Sequence, residues 1–181
     1  MKIDDWKNKV KGEDIEQYDF VDFDNETKVL SKFSEVIGNF LIYFNNLEHE
    51  LNLAIACIFI DDAVHMGYLV TKELMFRNKI ELFNDLYSTS IFYSKKKEVG
   101  IKKLKILYKD LTNMNIFRNN IIHADWLTLD KDNYVRTKII TDDEGKMVKG
   151  KKIKITPGII KANINKIESI VNKLDEIQQY L

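Results

Sequence analysis

The sequence has few of the residues that interrupt helices or build tight turns. Its 181 residues include seven glycines and one proline. This composition predicts long uninterrupted elements, and the length suits a single domain that buries a substantial core. The only cysteine, Cys57, cannot form an internal disulfide, and its apolar neighbours predict a small buried side chain.

A net charge and a long apolar run are also missing. The 28 basic residues balance the 28 acidic ones, so no global field draws the chain to nucleic acid. The longest apolar run, at 53–60, is too short to span a bilayer, and the first residues contain no apolar signal core. We therefore expect a cytoplasmic protein that makes no contact with a membrane.

Arginine is scarce among the basic residues. Three of the 28 are arginines: Arg77, Arg118 and Arg136. Lysine is the default cation of this chain, so an arginine is expected where a planar, permanently charged fork is needed. Arg77 and Arg118 each lie in the string Phe-Arg-Asn.

Hydrophobic spacing predicts most of the chain to be helical. Apolar residues recur three and four positions apart at 25–60, 74–92, 101–123 and 158–180, and a short helix is predicted at 63–72. Thr156 and Pro157 have the residue types of an N-cap and a first helical position. The acidic arm at 1–25 either packs a few aromatic side chains on the body or is a solvated leader.

After Trp126 the apolar period changes from the helical value to two. This pattern predicts short strands, with a turn at 142–145, and hence a β-hairpin or meander inserted at 126–156. The expected fold is mainly α: a single domain over 1–181, built as an antiparallel helical bundle with a small β-hairpin before the C-terminal helix. That last helix closes the bundle or forms part of a dimer seam.

Glu48 interrupts the apolar stripe of the first long helix, between Phe44 and Leu51. If its carboxylate points to the core, it needs a cation, and we predict an Arg or His of another helix. If the stripe is slightly rotated, Glu48 lies at its edge.

The stretch at 117–126 combines a fixed cation, amides and an imidazole. Asn115, Asn119 and His123 are spaced four apart on one predicted helix face, and Arg118 is adjacent. An Arg fork binds two phosphate oxygens, while a His can exchange protons with a ribose hydroxyl or a leaving oxygen. This chemistry suits a phosphodiester, needs no cofactor, and agrees with the lack of a metal-ligand spacing in the sequence.

Two interpretations of this stretch remain open. Cleavage by 2′-hydroxyl attack needs both a base and an acid, so the catalytic interpretation predicts a homodimer that brings two copies of His123 together. In the structural interpretation, Arg118 pairs with Glu48 and His123 caps the helix C-terminus.

The segment Arg118-Asn119-Asn120-Ile121-Ile122-His123 resembles the Arg-x(4–6)-His signature of the HEPN superfamily. Asn119 matches the Asn, Asp or His that commonly follows the arginine in that family. The resemblance extends in element order over roughly residues 30–180. Two departures stand out: Ala124 replaces a common Gly, and Asp125 replaces the Tyr of toxins that are paired with a nucleotidyltransferase antitoxin.

The resemblance implies a metal-independent endoribonuclease with Arg118 and His123 as catalytic residues and Asn119 assisting. The reaction would be 2′-hydroxyl attack giving a cyclic phosphate, in antiviral defence or toxin-like growth arrest, with an antitoxin or defence-system protein as a possible partner. The alternative is a non-catalytic HEPN-like dimer that binds RNA, a nucleotide or a protein. Glu48 and Asn115 would support the site, and Lys102, Lys105 and Lys109 either hold an RNA backbone or form a solvated face.

Overall fold

The helices follow the order that the hydrophobic pattern predicts. The computed structural model describes residues 9–10, 23–59, 64–123, 125–130, 133–141 and 147–181. Its helices are α1 (Phe23–Ala56), α2 (Val64–Thr71), α3 (Phe76–Phe92), α4 (Lys97–Ile122) and α5 (Pro157–Ile177), with a 3₁₀ helix at Gln178–Tyr180. Its strands are β1 (Lys9–Val10), β2 (Asp125–Asp130), β3 (Asn133–Thr141) and β4 (Met147–Ile155). The predicted mainly-α fold is confirmed.

The chain divides into two compact units. The first comprises Met1–Phe40 and Asn120–Ala162, and the second comprises Leu41–Asn119 and Asn163–Leu181. Helices α1, α4 and α5 therefore contribute residues to both units. The prediction of a single domain over 1–181 stays a prediction.

The first unit contains a sheet with the strand order β1-β4-β3-β2 among the described residues. Every neighbouring pair is antiparallel, and β3 pairs with β4 from Tyr134 opposite Ile155 to Thr141 opposite Met147. Strand β1 belongs to the acidic arm and was not anticipated by the sequence pattern. Apart from β1 and the start of α1, the arm lies outside the described residues.

Helix α5 begins where its capping residues predict. The backbone N–H of Ile159 donates to the side-chain oxygen of Thr156 at 3.2 Å, and Pro157 is the first residue of the helix. The threonine thereby satisfies one of the backbone donors that a helix start leaves without a partner.

Contacts within the second unit give the direction of its helices. From α1 to α3, Phe44 lies against Phe76 with their ring centroids 4.7 Å apart, and Tyr87 donates to the carbonyl of Ala54 at 3.1 Å. Residue numbers increase together along both helices, so α1 and α3 run parallel here. The prediction of an antiparallel bundle is therefore wrong for this pair.

The antiparallel arrangement is found for α4 and its neighbours. The hydroxyl of Tyr108 donates to Glu81 of α3 at 3.0 Å, and nearer the start of α4 Gly100 packs against Ile91, later in α3. Between α4 and α5, Lys173 donates to Asp110 at 2.6 Å, and Lys103, earlier in α4, donates to Glu176, later in α5. The backbone of α4 at Gly100 approaches so closely because glycine has no side chain.

The buried stripe of α1 is rotated relative to the predicted one. Val36 and Phe40 are buried, whereas Ile37 and Leu41, which the spacing favoured, are half-buried. The rotation brings Glu48 to the edge of the stripe. Cys57, predicted to be buried, is exposed in the turn after α1.

Helix α4 begins earlier than predicted, at Lys97, and its buried face contains the expected apolar positions except Ile101, which is half-buried. These are Leu104, Leu107, Leu111, Met114, Phe117 and Ile121, which are all buried.

Among the helices that the structure describes, none combines the length and the hydropathy required of a membrane span.

Candidate functional site

Arg118, Asn119 and Asn115 form a hydrogen-bonded chain near the end of α4. Nη1 of Arg118 donates to the side-chain oxygen of Asn119 at 3.0 Å. The amide nitrogen of Asn119 in turn lies 3.5 Å from the side-chain oxygen of Asn115, at the outer limit of a hydrogen bond. Asn115 and Asn119 meet because residues four apart share a helix face. The structure therefore brings together three of the predicted site residues.

Phe44 of α1 supports the guanidinium of Arg118. The carbon Cζ of Arg118 lies 5.7 Å from the centroid of the Phe44 ring, within cation–π range. Phe44 is itself 1% exposed and packs against Phe76, so the ring is fixed in the core. This contact and the bond to Asn119 constrain the guanidinium from two sides. The sequence marked Phe44 as a core residue and contained no signal of this second role.

The guanidinium of Arg118 has no carboxylate partner among the described residues. Its Nε is buried and makes no hydrogen bond there, while the side chain as a whole is partly exposed. An unsatisfied buried donor costs about 1–3 kcal/mol.

Glu48 pairs with a lysine and not with the Arg or His that was predicted. Its carboxylate accepts a hydrogen bond from Lys79 of α3 at 2.6 Å. The Lys79 side chain is 5% exposed and the Glu48 side chain 31% exposed. The predicted pairing with an Arg or His is therefore wrong, and so is the Glu48–Arg118 ion pair of the structural interpretation.

His123 follows Ile122, the last residue of α4, and its side chain is exposed. It belongs to the first compact unit, whereas Arg118 and Asn119 belong to the second. Its exposure leaves the imidazole accessible to solvent and to ligands. Its assignment as a catalytic residue continues to rest on the sequence motif.

The lysines that the sequence singled out lie on the surface of α4. Lys102, Lys105 and Lys109 are exposed, and no ion pair with another described residue involves them. Lys103 differs, because it donates to Glu176 of α5, and this hydrogen bond raises the pKa of the Lys103 ammonium. Three of the lysines on this helix thus remain available to an anionic ligand.

A groove between α1 and α5 in the second unit has a volume of about 510 Å³. Its walls contain an imidazole, two carboxylates and two amides; the lining residues are Tyr43, Asn46, His49, Glu50, Ile167, Glu168, Val171 and Asn172. The spacing of Tyr43, Asn46 and Glu50 was the signal for a shared face of α1.

No site for a metal ion is found in the part of the chain that the structure describes. His49, Glu50 and Glu168 line one groove, but no three His, Cys, Asp or Glu side chains among the described residues are grouped so that they could hold a cation. Comparison of the chain with protein-family models, with curated proteins and with solved structures gives no match.

Proposed function

We propose that this chain is a metal-independent endoribonuclease of the HEPN type. The observation that carries the proposal is the guanidinium of Arg118, which is held by Asn119 and Phe44 and has no carboxylate partner among the described residues. A constrained arginine without a counter-ion suits a phosphate group. The sequence adds His123, five residues later, as the group that exchanges protons.

In this proposal, the ribose 2′-hydroxyl attacks the adjacent phosphorus while an imidazole accepts its proton. The bond from phosphorus to the 5′-oxygen breaks, a protonated imidazole gives that oxygen a proton, and a 2′,3′-cyclic phosphate remains. Arg118 binds the non-bridging oxygens and stabilises the charge that develops on them. A second copy of His123, from a homodimer, supplies the other proton-transfer group.

The wider setting of this activity belongs to the same proposal. It comprises a cytoplasmic role in antiviral defence or toxin-like growth arrest, an antitoxin or defence-system partner, and a β-hairpin insert at 126–156 that serves as a dimer element or a substrate clamp. A non-catalytic HEPN-like dimer that binds RNA, a nucleotide or a protein is the second candidate. It is favoured by the same guanidinium, since binding a phosphate needs Arg118 but no proton transfer.

The decisive experiment is cleavage of single-stranded RNA in EDTA, with detection of the cyclic phosphate end. We expect wild type to cleave and His123→Ala to lose cleavage, because the proton-transfer group is removed. His49→Ala is the matched control, since this exposed histidine lies in the α1–α5 groove.

Indistinguishable RNA profiles for wild type and His123→Ala would remove the enzyme interpretation. Binding of RNA that requires Arg118 without any cleavage would favour the second candidate. Sedimentation equilibrium tests the homodimer independently, and a strictly monomeric protein would remove the second histidine that the mechanism needs.

A further inference from the structure

The junction of α3 and α4 exposes two aromatic rings. Phe92 is 54% exposed and Tyr93 is 83% exposed, and their rings meet edge to face with centroids 5.4 Å apart. The ammonium of Lys97 lies 3.5 Å from the centroid of the Phe92 ring, so one face of that ring is occupied. The ring of Tyr93 remains open to a planar ligand.

The segment from Phe92 to Lys109 is strongly basic although the whole chain has a formal net charge of zero. It contains seven lysines and one glutamate, Glu98, which is exposed. The neighbouring acids are already engaged within the second unit: Glu81 by Tyr108, Asp110 by Lys173 and Glu176 by Lys103. The surface is therefore suited to a polyanion.

Charged and apolar side chains alternate along the outer face of α4. Val99, Lys102, Ile106 and Lys109 follow at three- and four-residue steps, and all four are exposed. Lys102 and Lys109 are separated by about 10 Å along the helix, from a rise of roughly 1.5 Å per residue. Phosphates of an extended strand can reach both ammonium groups, while Val99 and Ile106 contact sugars or bases.

We infer that the exposed side chains of Phe92 and Tyr93 at the α3–α4 junction and of Val99, Lys102, Ile106 and Lys109 on α4 bind single-stranded RNA, with a base stacked on Tyr93. Stacking on an aromatic side chain requires an unpaired base, so a duplex cannot make the same contact. A second copy of the chain is a poor occupant, because a two-fold contact would bring lysines against lysines. The inference deepens the proposed function by naming single-stranded RNA as the substrate class. Binding of the RNA does not depend on the proposed function, whereas its cleavage does.

The test uses the full chain and a fluorescent 12-nucleotide 2′-O-methyl RNA, which cannot be cleaved by 2′-hydroxyl attack. Anisotropy should show binding to wild type, and Tyr93→Ala should weaken it about 5- to 150-fold, the range for loss of one stacked base. Tyr68→Ala, which alters an exposed tyrosine of α2, is the matched control and should bind as wild type does.

The lysines are tested by the salt dependence of the same binding. Lys102→Gln with Lys109→Gln should reduce the slope of log affinity against log salt by about 1.4, from roughly 0.7 for each contact to single-stranded phosphate. Lys32→Gln with Lys161→Gln changes two exposed lysines elsewhere and should leave the slope unchanged. Circular dichroism checks that each variant is folded.

Three results would overturn the inference: equal affinity of Tyr93→Ala and Tyr68→Ala, equally tight binding of the same probe annealed into a blunt duplex, or binding only to vesicles of anionic phospholipid. The proposed function fails separately. If the probe binds through Tyr93 but unmodified RNA is never cleaved, the RNA-binding surface is supported and the ribonuclease is refuted. If cleavage depends on His123 but Tyr93→Ala binds and cleaves RNA as wild type does, the ribonuclease is supported and the surface is refuted.

Discussion

Replacing Asn119 by aspartate distinguishes an anion-binding role of Arg118 from a structural one. In the native protein Nη1 of Arg118 donates to the neutral side-chain oxygen of Asn119 at 3.0 Å. Aspartate retains an acceptor at this position and adds a full negative charge. The guanidinium then acquires a counter-ion beside it.

The expected change in stability is small because two effects oppose each other. A partly exposed ion pair with Arg118 stabilises the fold by about 0.2–1 kcal/mol. A carboxylate in the last turn of α4 faces the negative end of the helix dipole, which costs about 0.3–1 kcal/mol. The free energy of unfolding should therefore change by less than about 1 kcal/mol.

The expected loss of function is much larger. A carboxylate about 6 Å from a bound phosphate repels it by roughly 2–3 kcal/mol at an effective dielectric constant near 20. That energy corresponds to roughly 30- to 150-fold in affinity or rate. Asn119→Asp should thus lose RNA cleavage while its stability is retained.

The assay combines RNA cleavage in EDTA with urea denaturation of the same preparation. Asn165→Asp, on the exposed surface of α5, makes the same change in net charge and should cleave as wild type does. If Asn119→Asp cleaves at the wild-type rate, no phosphate binds at this guanidinium. Loss of cleavage together with unfolding would contradict the predicted balance between the ion pair and the helix dipole.

Two further predictions concern stability, measured by urea denaturation. Gly100→Ala should destabilise by about 1–3 kcal/mol, because the new Cβ would lie 2.8 Å from Cγ2 of Ile91, whereas Gly38→Ala, with nothing within 4 Å, should stabilise by about 0.5–1 kcal/mol. Equal changes in the free energy of unfolding for Gly100→Ala and Gly38→Ala would mean that the neighbours of Gly100 move aside without cost. Glu48→Ala should cost about 3 kcal/mol, because it leaves the ammonium of Lys79 buried and unpaired, and Lys79→Met should cost less, because the Glu48 side chain is 31% exposed. The reverse order would show that Glu48 is the more strongly desolvated partner.

The periodic parts of the fold were predictable because their causes are local. The apolar face of α4 and the Thr156 cap of α5 follow from residues three and four apart, and both agree with the structure. The stripe of α1 was predicted less well, since apolar residues at both 36 and 37, and at both 40 and 41, make the spacing ambiguous. Packing against other helices then selected Val36 and Phe40.

Strand β1 and the direction of α3 were outside the reach of periodicity. Two residues, Lys9 and Val10, are too few to show a period, and their pairing with β4 depends on a partner far along the chain. Similarly, the spacing of apolar residues does not indicate whether the chain returns to the starting end of α1 before α3 begins. A parallel α1–α3 pair was therefore not anticipated.

The sequence by itself determined which residues of the site could meet. Asn115, Asn119 and Arg118 lie within about one turn of a helix, so their hydrogen bonds follow from helical geometry once α4 forms. Their types, and the scarcity of arginine, were enough to select them as candidates for phosphate chemistry.

Only the tertiary structure decided which charges are neutralised and which are free. Lys79, rather than Arg118, reaches Glu48, and Glu176 neutralises Lys103 while Lys102 remains exposed. These ion pairs join side chains that are distant in sequence. A charged side chain is attracted to any opposite charge at the same distance, so the sequence does not identify its partner. The partner is therefore selected by the packing of the helices, which left the guanidinium of Arg118 without a carboxylate among the described residues.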